Sequence, residues 1–441
     1  MIIGTVVTNS HIARAKVLAQ SIKMHHPEFK VVVSLVERSL NPEFAEFPFF
    51  DEVILCKDTW KGNFDQMIFK YEAWEACCFA KAPLLNYIFN KYKEENHVLF
   101  LDSDMQVLAP LDDLSGRFNR SSILLTPQHI YKGNEYDNFK YGVYNAGLIG
   151  VSRSSEGQNF INWWSKRLER HAYFAEYDTL FAEQKWLNLV SAFFNDVEVI
   201  KHPGYNIAGW NFNERQISRR ENGQIVVNGE PLYILHHHGI NEMENNVKSE
   251  DFVKDHQVLS ELTTEYVKQL NDMGRHRFSS IPWGYQFFTN GTSILRASRL
   301  IYRNNLKLEK EHPNPFHLNN EFFGQYQEKP ENIEQPRKRR ITKRRRIRWS
   351  KRRRKVLMKK KFKRLFRMRR KIAIRKRQLA LVLKGRSKVT SRQFKVALNK
   401  RRRLRRHLRR RLRIVILVKV IIKLGKKTRT RHFHLKRSRT I

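Results

Sequence analysis

Residues 97–111, HVLFLDSDMQVLAPL, constrain this chain more than any other stretch. Val98, Leu99, Phe100 and Leu101 form a short, wholly apolar run, the pattern of a strand buried on both faces of a parallel sheet. The run ends abruptly in Asp102 and Asp104, separated by the small Ser103. Side chains alternate along a strand, so the two carboxylates are expected to point the same way from its carboxyl end. Open α/β sheets place their ligands at that end. Two carboxylates there suit a hard divalent cation, Mg²⁺ or Mn²⁺, whose remaining coordination sites phosphate oxygens fill. The pattern therefore points to a diphosphate-bearing substrate, although Asp-x-Asp taken alone also fits a solvated turn.

The flanking sequence supplies the rest of such a sheet. Residues 2–8 form an apolar, β-branched strand, followed by Asn9 and Ser10 as candidate caps of a helix in which Ile12, Ala15, Ala19 and Ile22 recur at helical spacing. Residues 30–36 and 52–56 read as the next strands. A strand, helix, strand opening makes a parallel α/β sheet with a nucleotide crevice at its carboxyl edge. No Gly-x-Gly-x-x-Gly follows the first strand and no Gly-x-x-x-x-Gly-Lys occurs anywhere, which disfavours dinucleotide dehydrogenases and P-loop enzymes. Residues 64–90 read as helices interrupted near Pro83. Further strands are expected at 121–126, 141–151 and 231–235, and helices at 159–171, 177–194 and 257–270.

Three constellations carry candidate chemistry. Asn145-Ala146-Gly147 breaks the middle of the 141–151 strand, as a bulge or a close approach of ligand to backbone would. In 202–215, HPGYNIAGWNFNER, the residues Asn206, Trp210 and Asn211 place amides beside an aromatic ring. That mixture suits a sugar, whose hydroxyls need amide partners and whose C–H faces lie on rings. The strand at 231–235 ends in His236-His237-His238, which offers a metal ligand better suited to Mn²⁺ than to Mg²⁺.

The charge is divided unevenly. Residues 337–441 hold 50 Lys and Arg and no Asp or Glu, leaving 35 basic against 42 acidic residues in 1–336. The expected organisation is a mildly acidic α/β body (1–325), a linker (326–336) and a Lys/Arg-rich tail (337–441). The tail cannot bury its charge against itself, so disorder or an amphipathic helix is expected, with anionic membrane surfaces or nucleic acid as partners. The apolar run 414–422 is too short to span a bilayer. Cys56, Cys77 and Cys78 show no zinc or Cys-x-x-Cys spacing, and the amino terminus has no signal-peptide pattern. A cytoplasmic protein, peripheral at most to the inner face of a membrane, is the expectation, and the sequons at Asn119 and Asn290 carry no meaning there.

With these pieces in order, residues 1–325 resemble the GT-A class of metal-dependent nucleotide-sugar glycosyltransferases. The likeness is greatest to the bacterial relatives of glycogenin and of the lipopolysaccharide glucosyl- and galactosyltransferases. The motifs are TVVTNSHIARAKVLAQSI, VLFLDSDMQVLAPLDDL, YNAGLIG, INWWSKRL, EQKWLNLV, HPGYNIAGWNFNER, ILHHHG and WGYQFFTNG. The resemblance implies a Rossmann-like, mixed and mostly parallel sheet flanked by helices. It also implies hexose transfer from a nucleotide-sugar, above all a UDP-sugar, to a glycan, lipid-linked or protein acceptor, with retention of configuration. Asp102, Asp104 and His236 then match the metal ligands for Mn²⁺ or Mg²⁺. Thr8 and Asn9 fall at the base and ribose, and Lys81 near the donor. Ser103 lies between the two metal-binding carboxylates, Asn145, Ala146 and Gly147 line the sugar pocket, and Glu183 and Gln184 face the transferred sugar as the catalytic pair. Four departures accompany the match: Glu183 stands for Asp, Lys81-Ala82-Pro83 for Lys-Pro, His237 for Phe, and no Lys-Pro-Trp follows Gly239. The contrasting functional reading is an inactive body whose basic tail binds nucleic acid.

Overall fold

The computed structural model describes residues 1–326 apart from 176–179 and 248. The basic tail and the linker beyond Tyr326 lie outside the described residues. The strands, in chain order, are β1 Ile2–Val7, β2 Lys30–Leu35, β3 Glu52–Leu55, β4 His97–Leu101, β5 Met105–Val107, β6 Ile123–Pro127 and β7 Tyr144–Ser152. They continue with β8 Phe174–Ala175, β9 Leu180–Phe181, β10 Val197–Val199, β11 Ile217–Arg219, β12 Ile225–Val227, β13 Glu230–Pro231 and β14 Ile234–His236.

Seven of them form one sheet in the order β10-β6-β7-β4-β1-β2-β3. All neighbours pair in parallel except β7, which runs antiparallel to both β4 and β6. The mixed, mostly parallel sheet expected from the sequence is present. Strand alternation sorts its side chains into two cores. Ile2, Val6, Val98 and Phe100 join the core beneath helices Ala73–Lys91 and Ser155–His171. Ile3, Val7, Leu99 and Leu101 join the opposite core beneath helix Ile12–His25. Every one of these side chains except Val6 is essentially inaccessible, and full burial of each contributes about 1.5–3 kcal/mol. Gly4, in the middle of β1, lets helix Ala73–Lys91 approach closely, since an added Cβ would lie 3.1 Å from Ile88 and 3.3 Å from Leu84.

A second, two-stranded ribbon crosses the carboxyl edge of this sheet. There β5 pairs antiparallel with β14, setting His236 opposite Met105 and Ile234 opposite Val107. Residues 283–323 then return to the first core, where Tyr285, Phe288, Tyr302, Phe316 and Phe323 are buried.

Several elements differ from expectation. Helix Ala73–Lys91 runs straight through Pro83, and the break falls earlier, between it and helix Phe64–Ile68. Pro83 is buried, and burial of Ala76, Phe79, Ala80, Leu84, Leu85 and Ile88 around it outweighs the missing amide bond. Residues 177–194 do not form one helix. β9 is followed by Ala182 at φ 44°, a 3₁₀ helix Gln184–Leu189 and a short helix Val190–Phe193. Asn9 and Ser10 do not cap a helix through their side chains but sit in a 3₁₀ turn, Asn9–His11, where the Asn9 amide donates to Glu37 Oε1 at 3.0 Å. The Asn145–Gly147 break is a register irregularity: Leu125 faces Ile149 whereas Thr126 faces Asn145.

Candidate active site

The acidic pair lies at the carboxyl edge of the sheet, as expected, but in a turn and not in the strand. β4 ends at Leu101, the Asp102 amide donates to the Gly147 carbonyl at 2.8 Å, and the Met105 amide closes the turn onto the Asp102 carbonyl at 3.0 Å. Strand alternation therefore stops before it reaches the carboxylates. Each takes its own partners, and Ser103 is half-buried between them.

Asp102 turns toward helix Ala73–Lys91. Lys81 Nζ lies 2.8 Å from Asp102 Oδ1 and 2.6 Å from Glu183 Oε1, and it donates to the Ala146 carbonyl at 3.1 Å. The Lys81 and Glu183 side chains are only 5% and 6% exposed, so this is a desolvated cation bridging two carboxylates. Burial opposes the ammonium, yet Asp102 and Glu183 outweigh it and raise Lys81 above its ordinary value. Desolvation pushes the Asp102 carboxyl up, against the pull of Lys81 and His236.

Asp104 turns toward β14. Its Oδ1 lies 3.1 Å from His236 Nε2 and its Oδ2 lies 3.3 Å from Arg14 Nη1. Desolvation acts on this carboxyl too, but His236 and Arg14 overcome it and hold Asp104 below the usual carboxylate range. The next two histidines diverge. His237 is buried, stacks on Tyr266 with ring centroids 3.5 Å apart and shares a 3.1 Å hydrogen bond with Gln106. His238 is exposed and shares a cluster with Asp104 and His236 whose ligand atoms all lie within 4.8 Å of one another.

A chain of amides sets the partner of His236 Nδ1. The Gly147 amide donates to Asn145 Oδ1 at 2.9 Å, so that atom is an acceptor and Asn206 Nδ2, 3.0 Å away, is its second donor. Asn206 Nδ2 also reaches Thr126 Oγ1, leaving Asn206 Oδ1 to accept from His236 Nδ1 at 2.9 Å. With its proton on Nδ1, His236 turns Nε2 to Asp104 Oδ1 at 3.1 Å, where that nitrogen donates to the carboxylate when it carries a hydrogen and offers a lone pair to a cation when it does not. The donor set thus fits a divalent ion held by Asp104 and His236, with Asn206 as the outer partner that orients the imidazole.

The other expected residues form the wall beside this pair. Gln184 Oε1 accepts from Asn145 Nδ2 and from the Ala146 amide, both at 3.1 Å, while its Nε2 donates to the Tyr141 carbonyl. Its amide is therefore spent on holding the pocket wall, whereas Glu183 beside it faces Lys81. Gly147 is obligatory here, because a Cβ would lie 2.7 Å from Asn145 Oδ1 and 2.9 Å from Asp102 Oδ2. Trp210 donates from Nε1 to the Gln128 carbonyl and sets its ring edge-on to His236 and His238. Asn211 braces the same loop through the Gln128 and Asn206 carbonyls. Thr8 and Asn9 stand at the carboxyl end of β1 as expected, and Asn9 Oδ1 is buried with no hydrogen-bond partner.

Sequence reading missed Arg14 and Gln128. Arg14 follows β1 closely, where the first turn of a helix points at the ligand edge. Gln128 directly follows β6, the same kind of strand end that drew attention to Asp102. Both carried a positional signal.

No family model matches this chain. Among known proteins, the uncharacterized protein YfnF of Bacillus subtilis is 26% identical over 171 residues, 37% of this chain and 56% of YfnF. The chain thus spans little more than half the length of that relative. Among solved structures, the galactosyltransferase LgtC in complex with donor and acceptor sugar analogs aligns at 15% identity and a TM-score of 0.41, over 64% of this chain and 98% of LgtC. The glycosyltransferase GlyE of Streptococcus pneumoniae aligns at 16% identity and a TM-score of 0.35, over 65% of this chain and 66% of GlyE.

Proposed function

We propose that this chain is a GT-A glycosyltransferase that moves a hexose from a nucleotide-sugar, most simply a UDP-sugar, to a glycan, lipid-linked or protein acceptor with retention of configuration. The observation that carries the reading is the meeting of Asp104 and His236, 3.1 Å apart, at the carboxyl edge of a mostly parallel sheet. Asp104 and His236 would hold a divalent cation there, Mn²⁺ or Mg²⁺, which supplies Lewis-acid stabilisation of the leaving diphosphate.

The chain's own residues supply the remainder. Thr8 and Asn9 meet the nucleoside, with the free Asn9 Oδ1 as an acceptor for a ribose hydroxyl or a base N–H. Lys81 bridges Asp102 and Glu183 and so holds the Glu183 carboxylate in place, where its charge would face the positive charge that grows on the sugar ring. Gln184 is a positioning residue that holds the Asn145–Gly147 backbone against the sugar. Trp210 offers a ring face, and Asn206 keeps the His236 lone pair aimed at the cation. The alternative of an inactive body has less support, since Asp104, His236 and His238 still bring their ligand atoms together.

The deciding experiment measures nucleoside diphosphate release by the full-length chain across UDP-, GDP- and ADP-sugars with Mn²⁺, Mg²⁺ or chelator. Turnover of one UDP-sugar that chelator abolishes is expected. Silence across the panel, with no donor binding by calorimetry, would overturn the proposal. Among the described residues no helix is long and apolar enough to cross a membrane, so the acceptor panel includes both soluble glycans and lipid-linked sugars in vesicles.

A further inference from the structure

We infer that His238 is a third ligand of the same cation, giving a site of one carboxylate and two imidazoles that selects Mn²⁺ over Mg²⁺. The inference rests on the proposed function only in supposing that a cation works at this site.

Three observations converge on it. First, the three histidines part company at the end of β14: His236 and His238 turn to Asp104 and Trp210, whereas His237 turns to Tyr266. His237 accordingly lies under Tyr266, bonded to Gln106, and cannot turn to the site without leaving a buried stack. Second, the ligand atoms of Asp104, His236 and His238 all fall within 4.8 Å of one another, the span of one coordination sphere. Asp102 is not a member of that group, and its Oδ1 is engaged by Lys81. Third, Trp210 packs edge-on against both rings, at 5.2 Å from His236 and 5.5 Å from His238, and so restricts their orientation together. His238 is exposed where His236 is buried, which leaves one side of the sphere open to phosphate oxygens.

The chemistry comes from ligand type. Mg²⁺ prefers oxygen in a near-ideal octahedron and parts with water reluctantly, whereas imidazole nitrogen suits Mn²⁺ and the later divalent ions. One imidazole leaves the choice open, and a second moves it toward Mn²⁺.

Electron spin resonance of Mn²⁺ titrated into the full-length chain, with Mg²⁺ as competitor, measures the affinities without reference to sugar transfer. Echo-modulation spectra of the bound Mn²⁺ count coordinated imidazoles. Wild type should show two, and His238→Ala one. Loss of an outer-shell partner alone costs about 10–100-fold in affinity, so His238→Ala should weaken Mn²⁺ binding by at least about tenfold. His237→Phe, which preserves the stack on Tyr266, should leave Mn²⁺ binding unchanged. A single imidazole in wild type, an unaltered affinity in His238→Ala, or Mg²⁺ bound as tightly as Mn²⁺ would each overturn the inference. Sugar turnover with only one imidazole bound would defeat this inference alone; two imidazoles on Mn²⁺ without any turnover would defeat the proposed function and leave it standing.

Discussion

Asp102 and Asp104 are the same residue two positions apart in one turn, yet they belong to different chemical environments. Asp102 faces a helix and an ammonium in a desolvated ion cluster whose third member is Glu183. Asp104 faces a strand ribbon, a guanidinium and the imidazoles of His236 and His238. Desolvation prevails at the first and raises its carboxyl, whereas charge partners prevail at the second and lower it. The difference teaches that an acidic pair in sequence need not share an environment: one member joins a buried ammonium and Glu183, and the other meets an imidazole and a guanidinium.

Substitutions can break that division of labour. The largest effect is expected from Asp104→Asn, which should lower transfer by about 10²–10³-fold or more while circular dichroism and melting stay near wild type. Asp102→Asn should retain measurably more activity; equal loss in both variants would collapse the contrast. Next comes Lys81→Met, which strands the buried Glu183 carboxylate and takes the partner of the partly exposed Asp102. It should cost about 3–5 kcal/mol in denaturant unfolding, with Mn²⁺ affinity changed far less than stability. Asn206→Ala removes the acceptor that fixes His236 and should weaken Mn²⁺ binding by about 10–100-fold, and it should also lower unfolding stability by about 1–3 kcal/mol because Thr126 and Asn145 lose their buried partner. The last effect concerns His237 and is confined to acid pH. Burial lowers its pKa from 6.5 to about 3, so over that window the unfolded chain binds a proton that the folded chain refuses. Stability from this group is complete above the unfolded value and falls as pH drops below it, by at most about 1.4 kcal/mol per pH unit. His237→Phe should flatten the stability profile between pH 6.5 and about 3, and an unchanged slope would remove His237 from the account.

Much of this site can be read from residues alone, for identifiable reasons. Val98 to Leu101 announce a buried strand because four successive apolar residues suit nothing exposed, and the residues just past such a strand in an α/β sheet lie at its ligand edge. The histidine run is visible because His236 closes another apolar stretch. The separate fates of Asp102 and Asp104 are not visible, since they depend on a turn closed by the Gly147 carbonyl and the Asp102 carbonyl, neither of which has a side-chain signature. The helix expected over 177–194 fails for a related reason. Phe181, Trp186, Leu187 and Leu189 mimic a helical stripe, but Ala182 adopts a left-handed conformation and Gln184 is drawn into the sheet by the Ala146 amide. Apolar spacing records what is to be buried and is silent on which backbone groups claim the polar side chains. The basic tail, the most conspicuous feature of the composition, lies outside the described residues.

The ribbon of β5 and β14 also sets a timetable. Gln106 and His237, which touch across it, are 131 residues apart in the chain. At roughly 5–20 residues per second a ribosome needs about 7–26 s to travel from one to the other. During that interval the nascent chain carries its acidic turn without any imidazole to complete it. On the proposed function, cation binding and any nucleotide binding that depends on it should therefore arise in a single late step as β14 docks, and fragments ending before His236 should be silent toward the donor however well their earlier strands have folded.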